Sequence, residues 1–171
     1  MNVLPVYGLI IQNQFYTAYL PEMKESIFNK ILRSENKAFS DLAILLLRLT
    51  IGILLFMAGS GKALGLFGGY GIQASLQGYG KMHFSHFLAY LSIYTEFIGG
   101  LMLAAGLITR PVSFAILINM AVATIVTLPN GIMGPMGAQT PLIFLVVDLA
   151  ILLYGPGNYS FDSLLFRGRD K

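Results

Sequence analysis

Three charged residues lie inside otherwise apolar stretches of the chain, where they could form ion pairs away from water. They are Arg48, Glu96 and Asp148. An arginine at the centre of a membrane span costs about 2.5–3.5 kcal/mol on insertion scales, so it requires a buried anionic partner. Since arginine has a long stem and a fork of donors, we predict a buried charge network in which Arg48 pairs with Asp148 and reaches toward Glu96.

The charges of this network do not balance, because one arginine faces two acids. Either one carboxyl keeps a proton, for which Glu96 is our hypothesis, or Lys62 supplies the second positive charge. Infrared difference spectroscopy that found the Glu96 carboxyl ionised at neutral pH would exclude the first alternative.

Four apolar runs carry these charges, at residues 42–59, 87–108, 111–128 and 138–154. A transmembrane helix needs about 20 mostly apolar residues. The fourth run is short for a span and would need tilt or a locally thinner bilayer. Arg48 comes seven residues after the start of its helix at Asp41, and Asp148 comes seven before Gly155. Both should therefore lie about 10 Å deep from the same end of the bundle.

Helical spacing predicts which side of the first two runs faces the interior of the bundle. The stripe on the first run consists of Arg48, Gly52, Leu55, Gly59 and Lys62. The stripe on the second run consists of Ser92, Glu96, Gly99, Gly100 and Leu103. Glycines on such stripes let two helix backbones approach closely in lipid.

The composition excludes an ordinary soluble domain. Of 171 residues, 56% are hydrophobic and 11% are charged, whereas soluble domains average about 25% charged residues. The mean hydropathy is +0.71. We therefore predict an all-α membrane protein, a four-transmembrane-helix antiparallel bundle of one domain in the lipid bilayer. The net charge of +3 comes without a basic patch on a recognisable fold, so nucleic-acid binding has no support.

We predict that the chain divides into a lead-in, a membrane domain and a cytoplasmic tail. Residues 1–40 should form a cytoplasmic or interfacial lead-in, of which 1–22 would be an interfacial arm or a non-essential extension before Met23. Residues 41–156 should form the four-helix membrane domain, and 157–171 the cytoplasmic tail. Lysines and arginines near the ends of the runs predict that both termini face the cytoplasm, because eight lie on that side and two, Lys62 and Lys81, on the other.

The charged and polar residues also have purely structural interpretations. Buried ionic networks often fix helix register without doing chemistry. Lys62 could reach the membrane interface by its long stem, and Asn119 could join helices by a hydrogen bond. His83 and His86 fit interfacial positions better than a metal site, because a third ligand is missing nearby. No metal site is predicted.

Three stretches of the sequence resemble the DoxX family of small four-helix bacterial membrane proteins. They are LLLRLTIGILLFMAGSGKALGLFGG, LSIYTEFIGGLMLAAGLITRPVSFAILINMAVA and LLYGPGNYSFDSLL, and the resemblance covers about residues 40–165. The family pattern marks Arg48, Lys62, Glu96 and Gly99 of this chain. Many members carry a histidine near positions 59–60, where this chain has glycine and serine. Without that proton-active group, catalysis by this chain alone is less well supported.

The resemblance implies redox work at the bacterial inner (cytoplasmic) membrane beside soluble partners, because family members are tied to thiosulfate:quinone oxidoreductase and to a sulfurtransferase complex. The first hypothesis is accordingly a membrane anchor or accessory subunit of a quinone-linked complex for sulfur or oxidative-stress chemistry. The chain has no cysteine, so a soluble oxidoreductase or sulfurtransferase would bring the electron-carrying cofactor. The candidate quinone-binding residues are Lys62, Tyr94, Glu96 and Asn119.

Two other classes of function compete with this hypothesis. Intramembrane charges also mark transport pathways, so a small-solute or proton-coupled transporter is the second hypothesis. Four helices make only a narrow pore, and such a carrier would need a homo-oligomer. The third hypothesis is an assembly factor without chemistry of its own. Flux into liposomes that is lost on changing Arg48 or Glu96 would identify the transporter.

Overall fold

The computed structural model describes residues 37–134 and 136–166. Within these residues the chain is helical and contains no strand, which confirms the predicted all-α class. The predictions made for residues 1–22, and for the basic end of the tail, lie outside the described residues. The proposed division into lead-in, membrane domain and tail stays a prediction.

The described part of the chain contains six α-helices. They are α1 (Lys37–Leu64), α2 (Gly71–Lys81), α3 (His86–Ala105), α4 (Thr109–Thr127), α5 (Gln139–Tyr154) and α6 (Phe161–Phe166). Short 3₁₀ turns follow α1 and α4, at Leu66–Gly68 and Leu128–Asn130. Helix α3 contains one turn of π-helix at Thr95–Gly99.

Three of these helices are long and apolar enough to cross a membrane: α1, α3, and α4 together with the 3₁₀ turn that extends it to Asn130. Large apolar side chains stay exposed on the bundle, among them Phe87 at 73%, Ile125 at 70% and Leu153 at 73%. A water-soluble surface rarely carries so many, so the chain is a membrane protein. Helix α5 is apolar but has 16 residues, and a fourth span therefore stays a prediction.

The tight connection between α3 and α4 has a clear local cause. Helix α3 ends at Gly106, which takes the left-handed conformation with φ of 74°. The backbone N–H groups of Gly106 and Leu107 both donate to the carbonyl of Met102, at 2.9 and 3.0 Å. Glycine favours this helix end because it has no Cβ to clash, so α4 can begin only three residues later.

Close backbone contact between α1 and α3 confirms that Gly52 and Gly59 face the interior of the bundle, as the stripe on the first run predicts. A Cβ on Gly59 would come within 2.3 Å of the Phe97 backbone nitrogen, and one on Gly52 within 2.6 Å of the Ala104 nitrogen. An apolar core fills the space between α1, α3, α4 and α5; its buried members are Ile51, Leu55, Leu103, Val112, Ile116, Met120 and Ile151.

The bundle has two chemically different ends. At one end, residues 155–166, which we call the closing segment, follow α5 and return to the start of α1 and to the α3–α4 turn. At the other end, α2 connects α1 to α3, and Ser75 of α2 donates to the Lys62 carbonyl at 3.1 Å. Arg48 contacts the closing segment at the first of these ends, and the Lys62–Glu96 pair lies toward the second.

Candidate functional site

Lys62 and Glu96 form a tight ion pair near the α2 end of the bundle. The Lys62 ammonium nitrogen lies 2.7 Å from Oε1 and 2.6 Å from Oε2 of Glu96. The Glu96 side chain is only 6% exposed, whereas that of Lys62 is 37% exposed. The carboxylate is therefore buried, whereas the Lys62 side chain stays partly exposed.

Two backbone features place this pair. Gly59 lies directly against the backbone of Phe97, so α1 and α3 meet one residue from Glu96. Glu96 itself belongs to the π-turn of α3, and such turns occur frequently at functional sites in helical proteins. Because helical side chains lean toward the N-terminus of their own helix, Lys62 leans into the bundle and Glu96 leans toward Lys62.

Polar groups from α2, α3 and α4 surround the pair. The Tyr79 hydroxyl shares a hydrogen bond of 2.8 Å with the Ser92 hydroxyl, and it also faces the Lys62 ammonium. Asn119 donates to the Ser92 carbonyl at 3.5 Å, the long limit of a hydrogen bond. Hydroxyl, amide, ammonium and carboxylate groups thus form one polar layer, which we call the Lys62–Glu96 site.

The candidate quinone-binding residues are only partly brought together. Lys62 and Glu96 are in direct contact, and Asn119 reaches the same layer through Ser92. Tyr94 is exposed, and its ring stacks on Tyr90 with centroids 6.4 Å apart. Tyr79 was not among the predicted site residues, although it lies four residues after Ser75 on α2, and both therefore share the helix face that covers Lys62.

The expected single network of Arg48, Glu96 and Asp148 is not what the structure shows, although all three side chains are buried. Glu96 pairs with Lys62, and Arg48 donates to carbonyl oxygens of the closing segment. Side-chain direction explains the difference. Arg48 leans toward the start of α1, away from Glu96, whereas Asp148 leans toward the start of α5, at the opposite end of the bundle.

Arg48 holds the closing segment against the bundle. Its Nη1 donates to the Pro156 carbonyl, and its Nη2 donates to the Tyr159 carbonyl at 2.7 Å. Gly106 makes room for the guanidinium group, because a Cβ there would lie 2.7 Å from the Arg48 Cζ. The planar fork of arginine suits two acceptors at once.

Two aspartates complete this attachment. Asp162 accepts hydrogen bonds from the backbone N–H groups of Ile108 and Thr109 at 2.6 and 2.7 Å. Its carboxylate therefore lies at the start of α4, where it satisfies free backbone donors and interacts with the positive end of the helix dipole. Ile108 has a φ of 40°, a strained value for a β-branched residue that these bonds help to hold. Asp41 accepts the Asn158 side-chain amide at 2.5 Å.

We expect Asp162→Ala to lower the free energy of unfolding by about 1–2 kcal/mol, because it removes the cap of α4. Asp162→Asn keeps one acceptor oxygen, so its free energy of unfolding should fall by less. Thermal unfolding in detergent, followed by circular dichroism, measures both variants. Equal midpoints for the wild type and Asp162→Ala would show that the cap contributes nothing.

These features define a class: a small helical membrane protein with an ion pair between α1 and α3 and a closing segment held by an arginine. The chain belongs to the DoxX family, whose sequence profile matches residues 43–129. That range includes Arg48, Lys62, Glu96 and Asn119, and it ends before Asp148 and the closing segment.

One relative extends the similarity over most of the chain. The protein of Bacillus subtilis (strain 168) named "Putative oxidoreductase CatD" is 32% identical over 136 residues, which cover 78% of this chain and 94% of the relative. No solved structure matches the chain significantly.

Proposed function

We propose that this protein is the membrane subunit of a quinone-linked redox complex, and that the Lys62–Glu96 site binds the quinone head group. The observation that carries the proposal is the partly exposed Lys62 side chain, whose ammonium group is paired with a buried carboxylate and faced by the Tyr79 hydroxyl. The name of the Bacillus subtilis relative, an oxidoreductase, supports the redox class.

The donors of the site fit a quinone carbonyl oxygen. An ammonium group has three N–H donors, and Glu96 engages Lys62 through both carboxylate oxygens. A remaining N–H donor of Lys62 would point to the ligand, and the Tyr79 hydroxyl would supply a second donor. A bound quinone would supply the electron-accepting group, and a positive charge beside its carbonyl favours the negative charge that reduction places there.

The proposed function implies an orientation of the bundle in the membrane and a kind of partner. The charge asymmetry of the connections favours the bacterial cytoplasmic membrane with both termini in the cytoplasm, which puts the closing segment on the cytoplasmic side and α2 on the outer side. Electrons would come from a soluble oxidoreductase or sulfurtransferase. The bundle would then contribute quinone binding and membrane attachment.

Titration with a short-tailed benzoquinone or naphthoquinone tests this proposal. The double variant Lys62→Gln/Glu96→Gln removes both charges together, so no single charge is left buried. We expect its affinity to be about 10- to 100-fold weaker, because a hydrogen bond to a charged group contributes about 1.5–3 kcal/mol and about 1.4 kcal/mol corresponds to a factor of ten. Isothermal titration calorimetry on detergent-solubilised protein measures the difference.

The matched control is Lys81→Gln, which removes an exposed lysine at the end of α2. It should bind quinone as the wild type does. Circular dichroism and gel filtration confirm that the double variant is folded. Unchanged affinity in a folded double variant would refute the assignment of the site. Transport of small solutes, tested by flux into liposomes, would then become the leading alternative.

A further inference from the structure

Asp148 on α5 is a buried acid that neither the ion pair nor the closing segment uses. Its side chain is 0% exposed. Neither carboxyl oxygen has a hydrogen-bond partner of normal geometry among residues 37–134 and 136–166. An unpaired ionised carboxylate in apolar surroundings is so costly that such a group normally becomes neutral instead.

The charged groups on the neighbouring helices are engaged elsewhere. Arg48 of α1 binds the closing segment. Glu96 of α3 is paired with Lys62, and Arg110 of α4 lies at the end of the bundle beside Gly155. In the described part of the chain, no cation is therefore assigned to Asp148.

The Ser113 hydroxyl on α4 lies toward Asp148. Ser113 is also 0% exposed, and its oxygen likewise makes no hydrogen bond of normal geometry within the described residues. Ser113 shares the buried face of α4 with Val112 and Ile116. A serine hydroxyl can accept a hydrogen bond from a protonated carboxyl group, and it can donate one to the remaining carboxyl oxygen.

We propose that Asp148 is a proton-binding site inside the bundle, distinct from the Lys62–Glu96 site. One carboxyl oxygen takes up a proton from the aqueous phase, the negative charge of Asp148 is lost, and no electrons move. The resulting carboxyl group is hydrogen-bonded with the Ser113 hydroxyl. Intramembrane acids of this kind mark proton pathways, and this site does not depend on whether the protein binds quinone.

Infrared spectroscopy of the full chain in lipid vesicles tests the proposal without any ligand. At neutral pH the wild type should show the carbonyl stretch of a protonated carboxyl group. The band should shift when aspartate is labelled with ¹³C at the side-chain carboxyl carbon, and when the sample is exchanged into heavy water. Asp148→Asn should remove the band, whereas Glu96→Gln should leave it in place.

Ser113→Ala supplies a variant that keeps the acid and tests its hydrogen bond. Its protonated carboxyl band should move to higher frequency, because the carbonyl loses a hydrogen-bonding partner. If Asp148→Asn does not fold, the labelled wild type and Ser113→Ala still decide the question. The proposal is overturned by a wild type without a protonated aspartate band, or by a band that persists in folded Asp148→Asn.

Discussion

Arg48→Met should lower the free energy of unfolding by about 3–5 kcal/mol, the largest loss that we expect from a single side chain. The change keeps most of the apolar stem but removes the guanidinium fork. The carbonyl oxygens of Pro156 and Tyr159 then lose a charged donor. Two hydrogen bonds from a charged group contribute about 1.5–3 kcal/mol each, and in this buried setting water cannot easily replace them.

Thermal unfolding in detergent measures this loss, and Arg110→Met is the matched control. Arg110 is an exposed arginine in the first turn of α4, at the same end of the bundle. Its removal should change the midpoint little. The unfolding midpoint of Arg48→Lys should lie between those of Arg48→Met and Arg110→Met, because an ammonium group cannot reproduce the planar fork. If Arg48→Met unfolds at the temperature of Arg110→Met, Arg48 does not hold the closing segment.

Gly59→Ala should destabilise the bundle and disrupt the Lys62–Glu96 site together. The added Cβ would lie 2.3 Å from the nitrogen of Phe97 and 2.7 Å from the carbonyl carbon of Glu96. Both obstacles are backbone atoms, so a side-chain rotation cannot relieve the clash. Overpacking a core costs about 1–3 kcal/mol, occasionally more. We expect the free energy of unfolding to fall by an amount at the upper end of this range, and quinone binding to be weaker.

Gly78→Ala is the control for the glycine experiment. Gly78 lies on α2, and a Cβ there would meet no atom within 4 Å. Alanine is favoured over glycine in a helix by about 1 kcal/mol, so this variant should be as stable as the wild type or more so. Equal unfolding temperatures for Gly59→Ala and Gly78→Ala would contradict the close approach of α1 and α3.

The helices and their buried faces could be predicted from the sequence, because they follow from apolar length and a spacing of three and four residues. Arg48, Gly52, Leu55 and Gly59 are all buried, as their common stripe required. Spacing gives the face of a helix but not the direction of its side chains. Arg48 and Asp148 lie equally far in sequence from the ends of their apolar runs, yet the opposite directions of α1 and α5 make them lean apart.

Contacts distant in sequence account for most of what could not be predicted. Asp162 caps a helix that begins 53 residues earlier. A local cap such as Ser85 at the start of α3 can be predicted from the sequence, but a cap so distant in sequence cannot. The π-turn around Glu96 likewise has no sequence signature that we recognise. The sequence left two ways to balance the buried charges, a protonated Glu96 or a positive charge from Lys62. The ion pair between Lys62 and Glu96 is the geometry that the second way requires.

Purification from native membranes in a mild detergent tests the central claim most directly. The purified protein would be analysed by absorbance spectroscopy, by extraction and chromatography of bound quinone, and by mass spectrometry of co-purifying proteins. A redox subunit should carry quinone close to one per chain, lost in Lys62→Gln/Glu96→Gln and kept in Lys81→Gln, together with a soluble oxidoreductase or sulfurtransferase in fixed ratio. A folded, colourless bundle free of quinone and of partners would contradict the proposed function.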